Sequence, residues 1–105
     1  MAENAVAEEL IRRGYKVIEL NWKTKFAEID VVAEKDKTLC FVEVKYRKTL
    51  TAGDGFDYIT PTKLHHMQRA AEAYVLSRDW SGEYILMGAS VTGDVGHLQI
   101  EIIEI

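Results

Sequence analysis

Residues 39–47 read Leu-Cys-Phe-Val-Glu-Val-Lys-Tyr-Arg, and this run limits what the chain can become more than any other. Side chains alternate faces along a strand. Cys40, Val42, Val44 and Tyr46 therefore share one face, and Leu39, Phe41, Glu43, Lys45 and Arg47 share the other. The first face is apolar throughout and belongs to a core. The second starts apolar and turns charged at Glu43. A strand buried on both faces at one end and charged on one face at the other is a central strand that opens into a site.

The flanking sequence supplies a sheet and two helices around that strand. Residues 2–13 have helical periodicity, with Val6, Ala7, Leu10 and Ile11 as an apolar stripe and Gly14 placed to cap the end. The spacing predicts strands at Tyr15–Trp22, Phe26–Ala33 and Leu39–Arg47, the last two joined by a polar connection of hairpin length at residues 34–38. A loop over 48–59 is marked by Gly53-Asp54-Gly55. Thr60-Pro61 then starts a second helix, with a hydroxyl at the N-cap and proline where a missing N–H costs nothing. That helix runs to about Leu76, with Leu64, Met67, Ala71, Tyr74 and Val75 on one face. Strands near Glu83–Val91 and Leu98–Ile105 follow, around a turn at Gly93-Asp94-Val95-Gly96. The order is α-β-β-β-α-β-β, a mixed α/β domain with a central sheet flanked by helices.

Length and composition bound the rest. A chain of 105 residues fits a single domain, residues 1–105, and 48% hydrophobic content is enough for a real core. One cysteine excludes an internal disulfide or a Cys-based zinc site within one chain. No apolar run approaches the roughly 20 residues that span a bilayer, and no secretory signal opens the sequence, so no membrane partner and a cytoplasmic location are the expectations. The net charge of −4 argues against a nucleic-acid partner, but the charge is unevenly spread. Residues 12–48 hold ten basic and six acidic residues, whereas residues 78–105 hold one basic and five acidic. A basic front half is compatible with phosphate binding; a solvated mixed surface accounts for it equally well.

The candidate chemistry lies on the second and third strands. Ile29, Val31 and Ala33 share one face, and Glu28, Asp30 and Val32 the other. A four-residue loop from Lys35 to Thr38 sets Glu34 opposite Leu39, Asp30 opposite Glu43, and Glu28 opposite Lys45. Cβ atoms of such pairs are roughly 4.5–5.5 Å apart, so two carboxylates there repel unless a proton or a cation is shared. A divalent ion resolves the conflict, and hard oxygen donors suit Mg²⁺ or Mn²⁺. Lys45 then sits beside the same cavity as a fixed positive charge. The plainer alternative is a cross-strand ion pair on a solvated sheet face. Glu3, in register with Ala7 and Leu10, faces the core side of its helix and could reach the site, or it simply complements the helix dipole. His65 and His66 point about 100° apart and cannot both face one metal. Cys40 reads as a small core residue, and Trp22 and Trp80 as core or sheet-edge residues rather than base-stacking ones.

The strings Glu28-Ile29-Asp30-Val31-Val32-Ala33 and Phe41-Val42-Glu43-Val44-Lys45-Tyr46-Arg47 resemble the PD-(D/E)xK nuclease signature. More narrowly, they resemble the bacterial YraN-like family of predicted endonucleases related to Holliday-junction resolvases. The likeness extends to Glu3 and Leu10, Gly14-Tyr15, Asn21-Trp22, Lys63 and Ala70-Ala71-Glu72-Ala73-Tyr74, covering roughly residues 2–76. Ala27 stands where that family has glycine. The resemblance implies a restriction-endonuclease-like fold and a Mg²⁺- or Mn²⁺-dependent endonuclease site acting on DNA, branched or structured DNA included. Asp30, Glu43 and Val44 would hold the metal, Lys45 would help place or activate the attacking water, and Glu3 would complete the site. Arg47, Lys48 and Lys63 could hold flanking phosphates. One domain offers one site, so cutting both strands of a junction calls for a homodimer with two-fold symmetry. Two other functions remain open: a nucleic-acid-binding module without catalysis, and a protein-interaction domain using its sheet edge or acidic C-terminal half.

Overall fold

The computed structural model describes residues 2–25, 27–49, 55–94 and 96–105. Phe26, the expected first residue of the second strand, lies outside them, as do Gly53 and Asp54 of the loop and Val95 of the last turn. The elements are α1 (Ala2–Arg12), β1 (Lys16–Lys23), β2 (Glu28–Lys35), β3 (Thr38–Arg47), α2 (Pro61–Ser77), β4 (Glu83–Asp94) and β5 (His97–Glu104). The five strands form one sheet in sequence order, antiparallel except that β3 and β4 run parallel. A parallel pair needs a crossover, and α2 is that crossover. β3 is therefore central, as its double-faced pattern requires.

Each face of the sheet carries one helix. On the α1 side, Val6 and Leu10 pack with Val31, Ala33, Cys40, Val42, Ala89 and Val91, with Val44 and Tyr46 at the margin. On the α2 side, Ala70, Ala71 and Tyr74 pack on Val32, Leu39 and Phe41. The Tyr74 ring meets Trp22 edge-on at 5.0 Å and Phe41 at 5.5 Å. Each fully buried side chain of this size contributes about 1.5–3 kcal/mol. Trp80 joins the same layer and donates its indole N–H to the Glu83 carbonyl. Cys40 is buried on the α1 side, and burial lifts its thiol to about 11. The cysteine is thus a core residue, and both tryptophans pack at the margin of the α2-side layer.

Local signals explain the boundaries. Gly14, at φ +92°, ends α1: its N–H reaches the Ile11 carbonyl and the Tyr15 N–H reaches Leu10, a Schellman closure. The β2–β3 turn is only Asp36-Lys37, both at positive φ, which is the geometry a two-residue hairpin demands. The expected four-residue loop is thus shortened by pairing of Lys35 with Thr38, while Glu34 still lies opposite Leu39. β4 runs on to Asp94, into what the glycines suggested was turn.

Two apolar assignments change. Ile11 is 58% exposed, because α1 touches the sheet along a narrow line through Ala2, Val6 and Leu10. Ile29 packs toward α2, not with Val31 and Ala33. The alternation slips there because the β2–β3 ladder has already ended at Val31–Val42, and because Asn21, between the Leu20–Val31 and Trp22–Ile29 pairs, takes φ +54°.

Candidate metal centre

Where the β2–β3 ladder ends, Asp30 takes over the job of a backbone partner. Its Oδ2 accepts the Val44 N–H at 2.7 Å. Inserting a side chain there parts the strands, so the expected direct pairs Asp30–Glu43 and Glu28–Lys45 do not form. Glu28 instead stands across from Lys23 of β1, at 3.6 Å. The opened strands leave a cavity of about 220 Å³ lined by Ala27, Glu28, Asp30 and Glu43 from the sheet and by Lys63, His66 and Met67 from α2.

Both central acids are nearly closed off from solvent, Asp30 at 8% and Glu43 at 6% exposure. Burial pushes the Asp30 carboxyl from 3.8 up to about 7, against the opposing pull of the Val44 N–H; the charges of Glu43, Glu28 and Glu3 add to the rise. Glu43 Oε1 meets Lys63 Nζ at 2.7 Å. Glu43 Oε2 is buried and has no hydrogen-bond partner among the described residues. A buried carboxylate oxygen without a partner is costly, and a second carboxylate beside it makes the shortfall one of positive charge. The donor set is hard oxygen, which fits Mg²⁺ or Mn²⁺. Among the described residues, no three His, Cys, Asp or Glu side chains converge as a ligand cluster, so the carboxylate pair would need main-chain or water oxygens to complete a shell.

The neighbouring scaffold holds Glu43 in place. Tyr58 offers its hydroxyl to the carbonyls of Glu43 and Ala89, each at 3.1 Å, so one O–H bridges β3 and β4 at the level of the site. Burial raises the Tyr58 hydroxyl's pKa, and the Glu43 charge adds to this, so it stays a donor. Gly88 makes room for this: a Cβ there would come within 2.6 Å of Ile59 Cδ1 and 3.3 Å of the Tyr58 hydroxyl. Thr60 caps α2 by accepting the Lys63 N–H at 3.1 Å, and Pro61 follows it. That cap fixes Lys63 in the first turn, where a cation opposes the helix dipole; the ion pair with Glu43 offsets that cost.

The other expected site residues are spread more widely. Lys45 is exposed and does not line the cavity. Val44 packs its side chain toward α1 and gives its N–H to Asp30, so only its carbonyl could serve a metal. Glu3 is half-buried in the first turn of α1, outside the cavity lining, though its charge is felt at Asp30. Arg47 bonds Asp57 at 2.8 Å and lies over the Tyr58 ring. Lys48 is exposed, 3.9 Å from Asp94. Lys63 is the cation inside the site rather than at its flank. His66 lines the cavity while its neighbour His65 does not. Tyr58 escaped the sequence reading, and His66 entered it only as one of two histidines that cannot share a metal. The helix start at Thr60-Pro61 was a signal for Lys63 and His66, since it fixes which α2 residues stand in the first two turns; nothing local marks Tyr58.

The family described as "Uncharacterised protein family UPF0102" matches residues 2–105. The chain belongs to the UPF0102 family. It is 38% identical over 78 residues to UPF0102 protein FN1370 of Fusobacterium nucleatum, covering 74% of this chain and 66% of that protein. A UPF0102 protein of Cytophaga hutchinsonii is 38% identical over 85 residues, 81% of this chain and 75% of its own length. One from Prosthecochloris aestuarii is 41% identical over 73 residues, 70% of this chain and 58% of its own. The match thus spans just under two thirds of the Fusobacterium relative. Among the described residues of this UPF0102 chain, no helix is long and apolar enough to cross a membrane.

Proposed function

We propose that this UPF0102 chain is a metal-dependent endonuclease domain that hydrolyses DNA phosphodiesters, with branched or structured DNA among its substrates. The observation that carries the reading is the convergence of Asp30 and Glu43 on one cavity, with Glu43 Oε2 buried and unpartnered among the described residues. A divalent ion held by Asp30 and Glu43 would supply Lewis acidity toward a phosphoryl oxygen and would lower the pKa of a bound water. The chain's own residues do the rest. Asp30 and Glu43 offer hard oxygens from the sheet itself: Asp30 is tied to the Val44 N–H, and Glu43 is buried in β3. Tyr58 holds the Glu43 main chain against β4. Exposed Lys45 and Lys48 on the same strand and its continuation supply positive charge for flanking phosphates.

A second reading, DNA binding without cleavage, has its own support: Lys45 stands outside the cavity, and no three-residue ligand cluster exists among the described residues. Calorimetric titration with Mn²⁺ on the native chain, Asp30→Ala and Glu43→Ala separates the two, followed by cleavage assays on linear and branched DNA. The nuclease reading expects binding and cutting in the native chain and loss of both in each variant. Salt-dependent DNA binding with no cutting selects the second reading, and a native chain that binds no Mn²⁺ refutes the first.

A further inference from the structure

We propose that Lys63 is a built-in placeholder cation: it occupies Glu43 when no metal is bound and must leave that carboxylate for a divalent ion to bind fully. The inference rests on the metal-site reading above and adds a competition within it. The Lys63 ammonium lies 2.7 Å from Glu43 Oε1, while the carboxylate is 8% exposed and the lysine side chain 45% exposed. The pair is therefore asymmetric. Glu43 is held in the wall of the sheet, with its backbone carbonyl tied to Tyr58, whereas Lys63 reaches in from the helix on a flexible four-carbon stem. Withdrawing the lysine returns an already half-exposed side chain to water, whereas withdrawing Glu43 would disturb β3.

The location of the lysine argues that the contact has a purpose. A lysine in the first turn opposes the helix dipole, and the Thr60 cap and Pro61 pin that turn beside Glu43. The cation contacts only one oxygen of the carboxylate: Oε1 is paired and Oε2 is left without a partner among the described residues. Lys63 thus covers the charge without completing the coordination, and the site stays receptive to a better cation. Once displaced, the ammonium remains at the cavity mouth, within reach of an anionic phosphate, so metal and phosphate would each favour the other's binding through one side chain.

The test is Mn²⁺ titration calorimetry on the native chain, Lys63→Met and Lys63→Arg, with Lys16→Met on β1 as a control for the same loss of charge away from the cavity. Lys63→Gln serves as a second neutral variant should Lys63→Met fold poorly. Removing the competitor is expected to tighten Mn²⁺ binding about fivefold, the scale of one partly exposed ion pair. Lys63→Arg is expected to bind no more tightly than native, and Lys16→Met to shift by less than about twofold. Unchanged or weaker Mn²⁺ binding in both neutral variants, with a native chain that binds, overturns the placeholder while leaving the metal site standing. Absence of binding in every chain overturns both.

Discussion

Replacing Asp30 by asparagine is expected to make the metal-free protein more stable, and only above mildly acidic pH. Asparagine keeps an oxygen that can accept the Val44 N–H, so the strand-parting bond survives. What it loses is a charge that the fold disfavours. Lifting the Asp30 carboxyl from 3.8 to about 7 means the folded chain holds a proton that the unfolded chain has released across that window. A raised carboxyl pKa stabilises the fold fully below about 4, and that contribution drains away as pH rises to about 7, beyond which the penalty is constant. At full value the difference is about 4 kcal/mol. The Lys63 charge beside Glu43 and solvent at the open mouth reduce it to roughly 2 kcal/mol. For a domain of this size that corresponds to a rise of about 10 °C in Tm. Thermal unfolding in the presence of a chelator, from pH 4 to pH 8, measures it. Native and Asp30→Asn chains should melt together near pH 4 and separate progressively to pH 7, with the variant higher. A pH-independent difference, or a variant less stable at pH 8, would refute the reasoning that Asp30 is a strained carboxylate awaiting a cation.

Two further substitutions probe the scaffold, one beside the site and one at the β4–β5 turn. Tyr58→Phe removes the hydroxyl shared by the Glu43 and Ala89 carbonyls and should cost about 1 kcal/mol, read as a lower urea midpoint at unchanged slope; an unshifted midpoint would mean the bridge carries no stability. Gly93→Ala places a Cβ 2.3 Å from the His97 carbonyl oxygen at a residue with φ +110°. It should therefore destabilise the β4–β5 hairpin by about 2 kcal/mol or more, seen as faster amide exchange along β5.

Much of this architecture could be read before any coordinates. The alternation in residues 39–47 placed β3 at the centre of a sheet with a layer on each face, because period-two burial on both sides leaves no other location. Gly14, Thr60 and Pro61 marked helix ends through chemistry that acts within a few residues, and the two carboxylates stood out because acids are expensive on a strand otherwise buried. The expected register of β2 on β3 is present from Glu34–Leu39 to Val31–Val42, although the turn is two residues shorter than expected and the pairs beyond do not form. The rest depended on contacts between distant segments. That the ladder stops at Val31–Val42 depends on Asp30 reaching the Val44 N–H, fourteen residues away. That Lys63, and not Lys45, meets Glu43 depends on how the α2 crossover lays its first turn over β3. Tyr58 finds its partners on two strands at once. Local propensity and periodicity are written into neighbouring residues and so determine the elements and their buried faces. Which charge ends beside which is decided by packing, because a side chain's electrostatic partners are chosen only when the layers close.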